Sequence, residues 1–242
     1  MSIAEKLTTV AENVPKVYEA GQKSEYDKFW DAFQDFGNRT NYSTYAFYGA
    51  GFNAGNFYPK YDIKPQGSCS HLFYAWENSK LNLKERLEEC GVVLDTSKAT
   101  VFAQAFNYSK FTELPIIDLS GTTTASSGIF TNNYGTLVTI EKLIIAETTP
   151  ISNNWFGQYC QNLANLIVEG TIAKSGFNVQ YQTKLTVASL LSILTALSKD
   201  SSIASGKSIT FSTSHKSVIE GNADCLEQYN LAINAGWTIA YA

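Results

Sequence analysis

Residues 155–170 read WFGQYCQNLANLIVEG, and the apolar spacing within this stretch decides the predicted fold. Leu163, Leu166 and Val168 follow the pattern apolar-x-x-apolar-x-apolar. The same pattern occurs in two upstream segments, which contain Leu114, Ile117, Leu119, Ile140, Leu143 and Ile145. The segments recur at intervals of about 25 residues, a period that is typical of repeat architectures.

A unit of this length is too small to bury its own hydrophobic face. Stacking such units side by side buries a continuous core, and one short strand from each unit then joins a parallel sheet. The series continues upstream and downstream at Ile63, Leu94, Ile209, Phe211, Trp237 and Ile239. The sequence therefore predicts an α/β solenoid over residues 61–242, with helical or irregular segments covering the other side of its short-stranded parallel sheet.

Residues 1–37 are predicted to form a helical segment that precedes the solenoid. Ser2 fits the N-cap position and Glu5 follows three residues later, which is the capping-box pattern. Apolar residues then alternate in steps of four and three, as in the seam of a coiled coil. These seam residues are Ile3, Leu7, Val10, Val14 and Val17. Pro15 predicts a kink, so the pattern is compatible with a helix packed on its own domain or with an oligomerisation or docking stem.

A second helical stretch is predicted from Glu25 to Phe36, with its aromatic side chains in a core and Gly37 at its C-terminal end. Residues 38–60 follow, rich in Tyr, Gly, Asn and Phe and without a helical or strand period. We predict that they form an ordered, aromatic-rich loop. This loop would cap the first unit of the solenoid, whose core would otherwise be exposed.

The composition argues against several classes of protein. An apolar fraction of 44% and a charged fraction of 17% indicate a globular chain. The net charge of -4 and the lack of a basic run argue against a nucleic-acid partner or an anionic membrane surface. Charged residues interrupt the first twenty positions, and no window is apolar enough for a membrane span. The sequence therefore predicts neither a signal peptide nor a transmembrane segment.

The four cysteines, Cys69, Cys90, Cys160 and Cys225, are widely separated and form no CxxC pair. They are predicted to be reduced and buried, and to pack as small apolar side chains. Cys69 and His71 could form a thiol dyad only on a strand or turn that brings them together, and Cys69 is expected to lie in the core instead. The sequence predicts no metal site and no cofactor.

Sequence motifs for catalysis are absent: GxSxG, HExxH and P-loop patterns do not occur. Glu88 and Glu89 are adjacent, and adjacent helix positions point apart, so they are predicted to be solvated. A glycosidase needs two carboxylates across a cleft, and Asp118 with Glu147 or Glu169 would be the candidates. Nothing in the sequence favours that pairing, so we predict a protein that is not an enzyme.

The outer face of the predicted sheet is the candidate binding surface. Alternate strand residues face opposite sides, so Ile144 and Ile167 point outward if Ile145 and Val168 point into the core. Ile144 and Ile167 would then be neighbours on adjacent strands. The same face would carry the polar residues Asp118, Ser120, Glu169, Thr210, Ser212 and Thr238. Two apolar side chains among small polar ones suit a partner or ligand, or a surface that the N-terminal segment covers.

Aromatic residues in loops form a second set of binding candidates. Together with Asn, Ser and Thr side chains, exposed aromatic rings suit the recognition of sugars. The candidates in loops or at turns are Tyr42, Tyr45, Tyr48 and Trp155, whereas Trp30 and Trp237 are predicted to be core residues.

The quoted stretch has an aromatic residue, then Cys160, then L-x-x-L-x-V, and in this it resembles the irregular leucine-rich repeats of the BspA-like kind. Residues 129–145 and 102–121 are looser copies, with Tyr134 near the cysteine position. TKLTVASLLSILTALS (183–198), followed by KSITFS and NAGWTIAYA, resembles the closing unit of such repeats in gut bacteria and their phages. The block from IAEKLTTVAENVPKVYEAG to PKYDI resembles the leader of phage and prophage tail-associated leucine-rich-repeat proteins.

This resemblance implies an irregular leucine-rich-repeat solenoid with a binding or structural role and not a catalytic one. The resemblance also implies that the protein is part of a phage or prophage tail. The partners of the protein would then be a protein or glycan on a bacterial surface, other tail proteins, or sister chains joined through the N-terminal helix. The protein is then expected in the virion, or in the cytoplasm until release if it is not encoded by a phage. Two alternatives stay open: a bacterial cell-surface or secreted adhesion module, and a carbohydrate-active enzyme on a solenoid scaffold.

Overall fold

The computed structural model describes residues 29–30, 46–47, 52, 54–74, 80–131, 133–152, 155–199 and 206–242. The chain divides into two compact units, residues 1–39 and 40–242. In the first unit Phe29 and Trp30 are helical, their rings meet edge-to-face at 5.2 Å, and Trp30 is buried as predicted. The sheets of the described residues lie in the second unit. The predicted seam residues, Ile3, Leu7, Val10, Val14 and Val17, lie outside the described residues.

The second unit is an α/β structure with parallel sheets, as the sequence predicts. Its strands are β1 (Gly67–Ser68), β2 (Leu81–Asn82), β3 (Ala99–Val101), β4 (Phe111–Asp118), β5 (Thr139–Ile145), β6 (Asn165–Gly170), β7 (Lys207–Phe211) and β8 (Trp237–Tyr241). Its described helices are α1 (Leu83–Cys90), α2 (Val187–Ser198), α3 (Thr213–Gly221) and α4 (Ala223–Asn234). A short 3-10 turn spans Gln158–Cys160.

The main sheet has the strand order β2-β4-β5-β6, so its strands lie in the order in which they occur in the chain, with β3 in a separate pair. The shared apolar spacing puts equivalent residues side by side: Leu114 pairs with Ile140, and Ile140 pairs with Leu166. A second row consists of Ile117, Leu143 and Val168. All six side chains are buried, so the repeated pattern builds one wall of the core. Two smaller parallel pairs, β1 with β3 and β7 with β8, complete the described sheets.

A column of stacked phenylalanine rings, the aromatic column, forms another part of the core. The rings of Phe47, Phe73, Phe106, Phe130 and Phe156 follow one another with interplanar angles of 20° or less. Their centroids are 4.7 Å apart at the first step and between 5.2 and 5.7 Å at the others. Phe52 and Phe57 meet the ring of Phe47 edge-on. Described residues from the predicted aromatic-rich cap thus cover the first ring of the column.

Three buried polar side chains, Ser109, Asn133 and Cys160, form a polar column. Ser109 Oγ donates to the carbonyl oxygen of Phe106 at 2.7 Å and lies 2.6 Å from Asn133 Oδ1. Asn133 Nδ2 and Cys160 Sγ both donate to the carbonyl oxygen of Phe130. Asn133 thus bonds to the same carbonyl as Cys160, whereas the side chain of Tyr134, which was expected near the cysteine position, is 48% exposed. Together the three side chains satisfy the carbonyls of Phe106 and Phe130, which burial would otherwise leave unpaired.

Helix α2 covers the free edge of the main sheet and ends it there. Ser189 Oγ accepts from Leu166 N at 2.9 Å, and Ser192 Oγ accepts from Val168 N at 3.1 Å. Ser189 Oγ also lies 3.1 Å from the Ala164 carbonyl oxygen, to which it can donate. Two serine side chains thus take the place of a further strand beside β6. This protects an edge that would otherwise be open to pairing with another chain.

We expect Ser189→Ala to lower the free energy of unfolding by about 1–3 kcal/mol, because it leaves the buried Leu166 N–H without a partner. Urea denaturation followed by circular dichroism measures the loss. Ser198→Ala is the matched control on the same helix, since Ser198 Oγ bonds to the Thr195 carbonyl and to Gln228 and not to the strand. Equal losses in the two variants would show that the edge bonds contribute nothing specific.

The C-terminal elements pack around the β7–β8 pair. Ser212 Oγ accepts from Ser214 N at the start of α3, and Asn222 Oδ1 accepts from Cys225 N at the start of α4. These are ordinary N-caps, which satisfy backbone donors that the helices cannot. Trp237 is buried beside them, as predicted. Within the described residues, the helices are too short or too polar to cross a membrane.

Burial lowers the pKa of His215, in the first turn of α3, below its ordinary value of 6.5. The folded state therefore binds a proton at His215 less readily than the unfolded state does. The free energy of unfolding is highest above about pH 6.5 and decreases as the pH falls below that value. We expect the thermal midpoint to drop between about pH 7.5 and pH 5.5, and His215→Leu to reduce that drop. Calorimetry at the two pH values tests this, and an unchanged drop in the variant would contradict it.

Candidate binding surface

The outer face of the main sheet has the expected alternation of buried and less buried side chains. Ile145 and Val168 are buried, whereas Ile144 and Ile167 are half-buried. Ile144, however, pairs with Asp118 on one side and Glu169 on the other. Ile144 and Ile167 therefore lie on the same face of adjacent strands, offset by two positions, with Glu169 as the direct partner of Ile144.

Two charged residues on this face form an ion pair, and a third accepts a backbone hydrogen bond. Lys142 Nζ lies 2.6 Å from Glu169 Oε2, and this contact lowers the pKa of Glu169 and raises that of Lys142. Both side chains are substantially exposed, so solvent screens the pair and it contributes little to stability. Asp118 Oδ1 accepts from Ser120 N at 2.8 Å. The face is thus a mixture of small apolar and ion-paired groups.

The structure separates Thr210 and Thr238 from this face, contrary to expectation. Thr210 lies in β7 and Thr238 in β8, which form a two-stranded sheet of their own. The main sheet cannot continue into that pair because α2 occupies the free edge of β6. Ser212 is likewise not on the outer face, since it is buried as the N-cap of α3.

The prediction that Trp155 is an exposed sugar-binding residue is also wrong. Its side chain is only 2% exposed, and its indole nitrogen donates to the Ser126 carbonyl oxygen at 2.9 Å. Its ring meets Phe177 edge-to-face at 5.8 Å. A tryptophan with this bond and this contact belongs to the core. The other three candidates of that set, Tyr42, Tyr45 and Tyr48, lie outside the described residues.

The cysteines are free thiols, and three of them are buried as predicted: Cys69, Cys160 and Cys225. Cys90 is half-buried. Burial raises the pKa of Cys69, and raises that of Cys160 to about 11, so neither is a nucleophile at neutral pH. Cys69 Sγ donates to the Val101 carbonyl, whereas His71 Nε2 lies 3.1 Å from Gln104 Oε1. The two side chains therefore bond to different partners.

A concave surface missed by the sequence prediction lies at the turns that follow the aromatic column. This cavity, which we call the tyrosine groove, has a volume of about 470 Å³. Its polar and aromatic lining consists of Tyr74, Gln104, Asn107, Tyr108, Ser127, Thr131, Gln158 and Tyr159. The volume falls in the range of small-ligand sites.

The tyrosines of this region recur along the surface. The rings of Tyr74 and Tyr108 are 5.4 Å apart, and those of Tyr108 and Tyr134 are 6.3 Å apart. Tyr159 is 50% exposed in the next turn. Stacking of neighbouring chain segments thus converts a tyrosine that recurs in sequence into a row of rings. Such rings present apolar faces together with hydroxyl groups.

Hydrogen bonds fix the walls of the tyrosine groove. Asn107 Oδ1 accepts from Tyr108 N at 2.9 Å and from Thr131 Oγ1 at 3.0 Å. Gln104 N donates to the Ser127 carbonyl oxygen at 3.1 Å. Gln104 and Tyr108 both adopt left-handed backbone, with φ of 55° and 54°. That conformation is costly for residues other than glycine and is concentrated at functional sites.

A second cavity, which we call the C-terminal cavity, has a volume of about 540 Å³. Gln158 lines both cavities, so they are neighbours. The other amides and the ring of this second cavity belong to Gln161, Asn162, Gln180 and Tyr181. Among the described residues that line this cavity, Lys184 has the one charged side chain. Lys184 Nζ lies 2.6 Å from Asn162 Oδ1.

The chemistry of the tyrosine groove is that of neutral hydrogen bonding. Among the described residues that line the tyrosine groove there is no carboxylate, imidazole, thiol or ammonium group. Neutral amides and hydroxyls both donate and accept hydrogen bonds. In the described part of the chain, groups of three or more His, Cys, Asp and Glu residues that could hold a metal ion do not occur.

The sequence does contain a signal for the tyrosine groove. Tyr108, Tyr134 and Tyr159 recur at intervals of about 25 residues, the period of the apolar segments themselves. Side chains that recur with that period lie near one another when the segments stack. The position of the groove depends also on turn conformations that no periodicity encodes.

Comparisons of this chain with known protein-family models, with curated proteins and with solved structures find no match.

Proposed function

We propose that the chain is a non-enzymatic binding protein of a phage or prophage tail and that it contacts the surface of a bacterial cell. The observation that carries this proposal is the tyrosine groove. It combines aromatic rings, side-chain amides and hydroxyls in one concave surface, and its described lining has no charged side chain. Surfaces of this kind bind ligands through contact area and hydrogen bonds.

The scaffold that we propose is an irregular leucine-rich-repeat solenoid. Three features support it: strands that pair in chain order, the aromatic column and the polar column. In such a scaffold each unit contacts mainly its neighbours, so a side chain that recurs at one position forms a row. Tyr74, Tyr108 and Tyr134 follow this rule.

The place in a tail rests on the resemblance of the block in residues 3–63 to tail-associated leaders. In this proposal residues 1–37 attach the protein to other tail proteins or to sister chains. The region from 61 onward then faces a protein or glycan on the host. The virion is the corresponding location.

The lining of the tyrosine groove supports binding rather than turnover. Hydrolysis of a glycosidic bond needs two carboxyl groups on either side of the bond. The candidate carboxylates Asp118 and Glu169 are engaged elsewhere, Asp118 with Ser120 N and Glu169 with Lys142. Neither residue lines either cavity.

The proposed function is tested with the full-length chain carrying a fluorescent label. We expect saturable binding to cells of at least one strain in a panel of gut bacteria, measured by flow cytometry. Mass spectrometry of virions from the strain that encodes the chain should detect it among the tail proteins. A chain that binds no strain and is absent from virions would exclude the proposal.

A further inference from the structure

We infer that the ligand of the tyrosine groove is an uncharged polysaccharide that runs along the surface from the groove into the C-terminal cavity. This inference rests on the proposed function and names the class of ligand for it. It is carried by the continuity of the two cavities, by a described lining in which Lys184 has the one charged side chain, and by the exposed ring that each cavity presents.

Continuity follows from the residues that the cavities share. Gln158 lines both, and Tyr159, the next residue in the chain, lines the tyrosine groove. Tyr181 lines the C-terminal cavity. Tyr159 is 50% exposed and Tyr181 is 45% exposed, so each ring is accessible to a ligand on its side of Gln158. A linear ligand passing over Gln158 therefore meets one ring in each cavity.

The lining matches the chemistry of a neutral sugar. A pyranose ring has an apolar face of C–H groups, which packs on aromatic rings, and a rim of hydroxyls, which donate and accept hydrogen bonds. Gln104, Gln158, Gln161 and Gln180 supply amides that do both. The one ammonium group of the described lining, that of Lys184, is already bonded to Asn162 Oδ1.

The same lining offers an anionic ligand one charged partner, the Lys184 ammonium, and offers a peptide few apolar contacts. The backbone N–H of Thr213, at the start of α3, donates to the Ala242 carbonyl oxygen at 3.0 Å and is not directed to a ligand. Aliphatic side chains, which would hold the apolar residues of a peptide, are absent from the described lining apart from Ala242. A ligand rich in hydroxyls and without charge fits best.

The length of the surface calls for a polymer rather than a single sugar. The groove spans four successive turns and therefore three turn-to-turn spacings. Each of these turns contributes to the lining the residue that directly follows a ring of the aromatic column: Tyr74, Asn107, Thr131 and Gly157. At the usual spacing of strands this is about 15 Å. The C-terminal cavity extends the surface beyond that. A fragment of one or two sugars would occupy only part of it.

The first test is binding of full-length protein to an array of polysaccharides. The probes are neutral glucans, mannans and rhamnans, with polygalacturonate and lipoteichoic acid as acidic comparators. We expect binding to at least one neutral polymer. A hexasaccharide from that polymer should bind at least about tenfold more tightly than its disaccharide, measured by calorimetry. Binding to acidic polymers alone, no binding, or equal affinity for the two fragments would overturn the inference.

Matched variants assign the binding to this surface. Tyr159→Ala and Tyr181→Ala should each weaken binding of the hexasaccharide at least about fivefold, whereas Tyr58→Ala should not change it. Tyr58 is 53% exposed and lines neither cavity, so it controls for loss of an exposed ring. The thermal midpoint of each variant should stay near that of the parent. Equal affinities of all three variants would overturn the inference.

Labelled cells separate this inference from the proposed function. If protease treatment of the cells abolishes binding and the array shows no binding to a neutral polymer, the partner is a protein, and the inference fails while the proposed function stands. If binding to cells is lost after periodate and is weakened in Tyr159→Ala, both are supported. If the chain binds a neutral polysaccharide on the array but binds no cell and is absent from virions, the proposed function fails and the ligand class stands.

Discussion

Phe130→Ala is expected to lower the free energy of unfolding by roughly 3–5 kcal/mol, the range for removing a buried aromatic ring. Phe130 is fully buried in the aromatic column, with Phe106 at 5.6 Å on one side and Phe156 at 5.2 Å on the other. Its loss leaves a cavity between two stacked neighbours that lie in successive turns. Backbone hydrogen bonds join these turns, from Phe106 N to the Ile129 carbonyl oxygen and from Phe130 N to the Trp155 carbonyl oxygen, both at 2.9 Å. The column therefore cannot close without breaking bonds between the turns.

Urea denaturation followed by circular dichroism and by intrinsic fluorescence measures this effect. Tyr159→Ala is the control. It also removes an aromatic ring from a nearby turn, but the Tyr159 side chain is half exposed. We expect that control to change stability by less than about 1 kcal/mol. Phe130→Leu should fall between the two. If Phe130→Ala costs no more than Tyr159→Ala, the stacked rings do not form a close-packed core.

Gly170→Ala is expected to destabilise the protein by several kcal/mol or to prevent it from folding. Gly170 ends β6 with φ of +104°, a region that is strained for any residue with a Cβ. A Cβ at this position would lie 1.9 Å from the carbonyl oxygen of Ile145. That oxygen also accepts from Thr171 N at 3.1 Å, so it cannot move without losing the bond that joins β5 to the end of β6.

Gly206→Ala separates backbone strain from the clash. Gly206 has a similar φ of +96°, but a Cβ there would meet no atom of the described residues within 4 Å. We expect Gly206→Ala to cost about 1–3 kcal/mol, the range for an unfavourable φ, and Gly170→Ala to cost clearly more. The comparison uses thermal midpoints of the soluble variants, or the soluble yield if Gly170→Ala does not fold. Equal effects would mean that β5 and β6 separate readily at this end.

Much of the buried surface was predictable because it depends on local spacing. The apolar-x-x-apolar-x-apolar pattern placed Leu114, Ile140 and Leu166 in the core, and the structure pairs them with one another. Alternation likewise predicted that Ile144 and Ile167 point away from the core. These properties follow from the two-residue period of a strand, which the sequence carries directly.

The candidate site was less predictable because it depends on groups far apart in the chain. Trp155 was expected at the surface, but its indole finds a carbonyl partner 29 residues earlier and becomes part of the core. Thr210 was expected on the main sheet, but Ser189 and Ser192 let α2 occupy the edge that would have received it. Serines in an apolar helix give no local sign that they bond to a strand.

The sequence by itself determined the α/β class, the parallel strands and the side chains that line them, because each of these depends on spacing within a few residues. Tertiary structure alone decided the shift in register between β5 and β6, the end of the main sheet at α2, and the joining of two cavities at Gln158. Those features depend on segments more than 20 residues apart that meet through turn conformations and single hydrogen bonds. Periodicity records which side of a strand is buried, whereas the partner that the segment meets is set when the whole chain packs together.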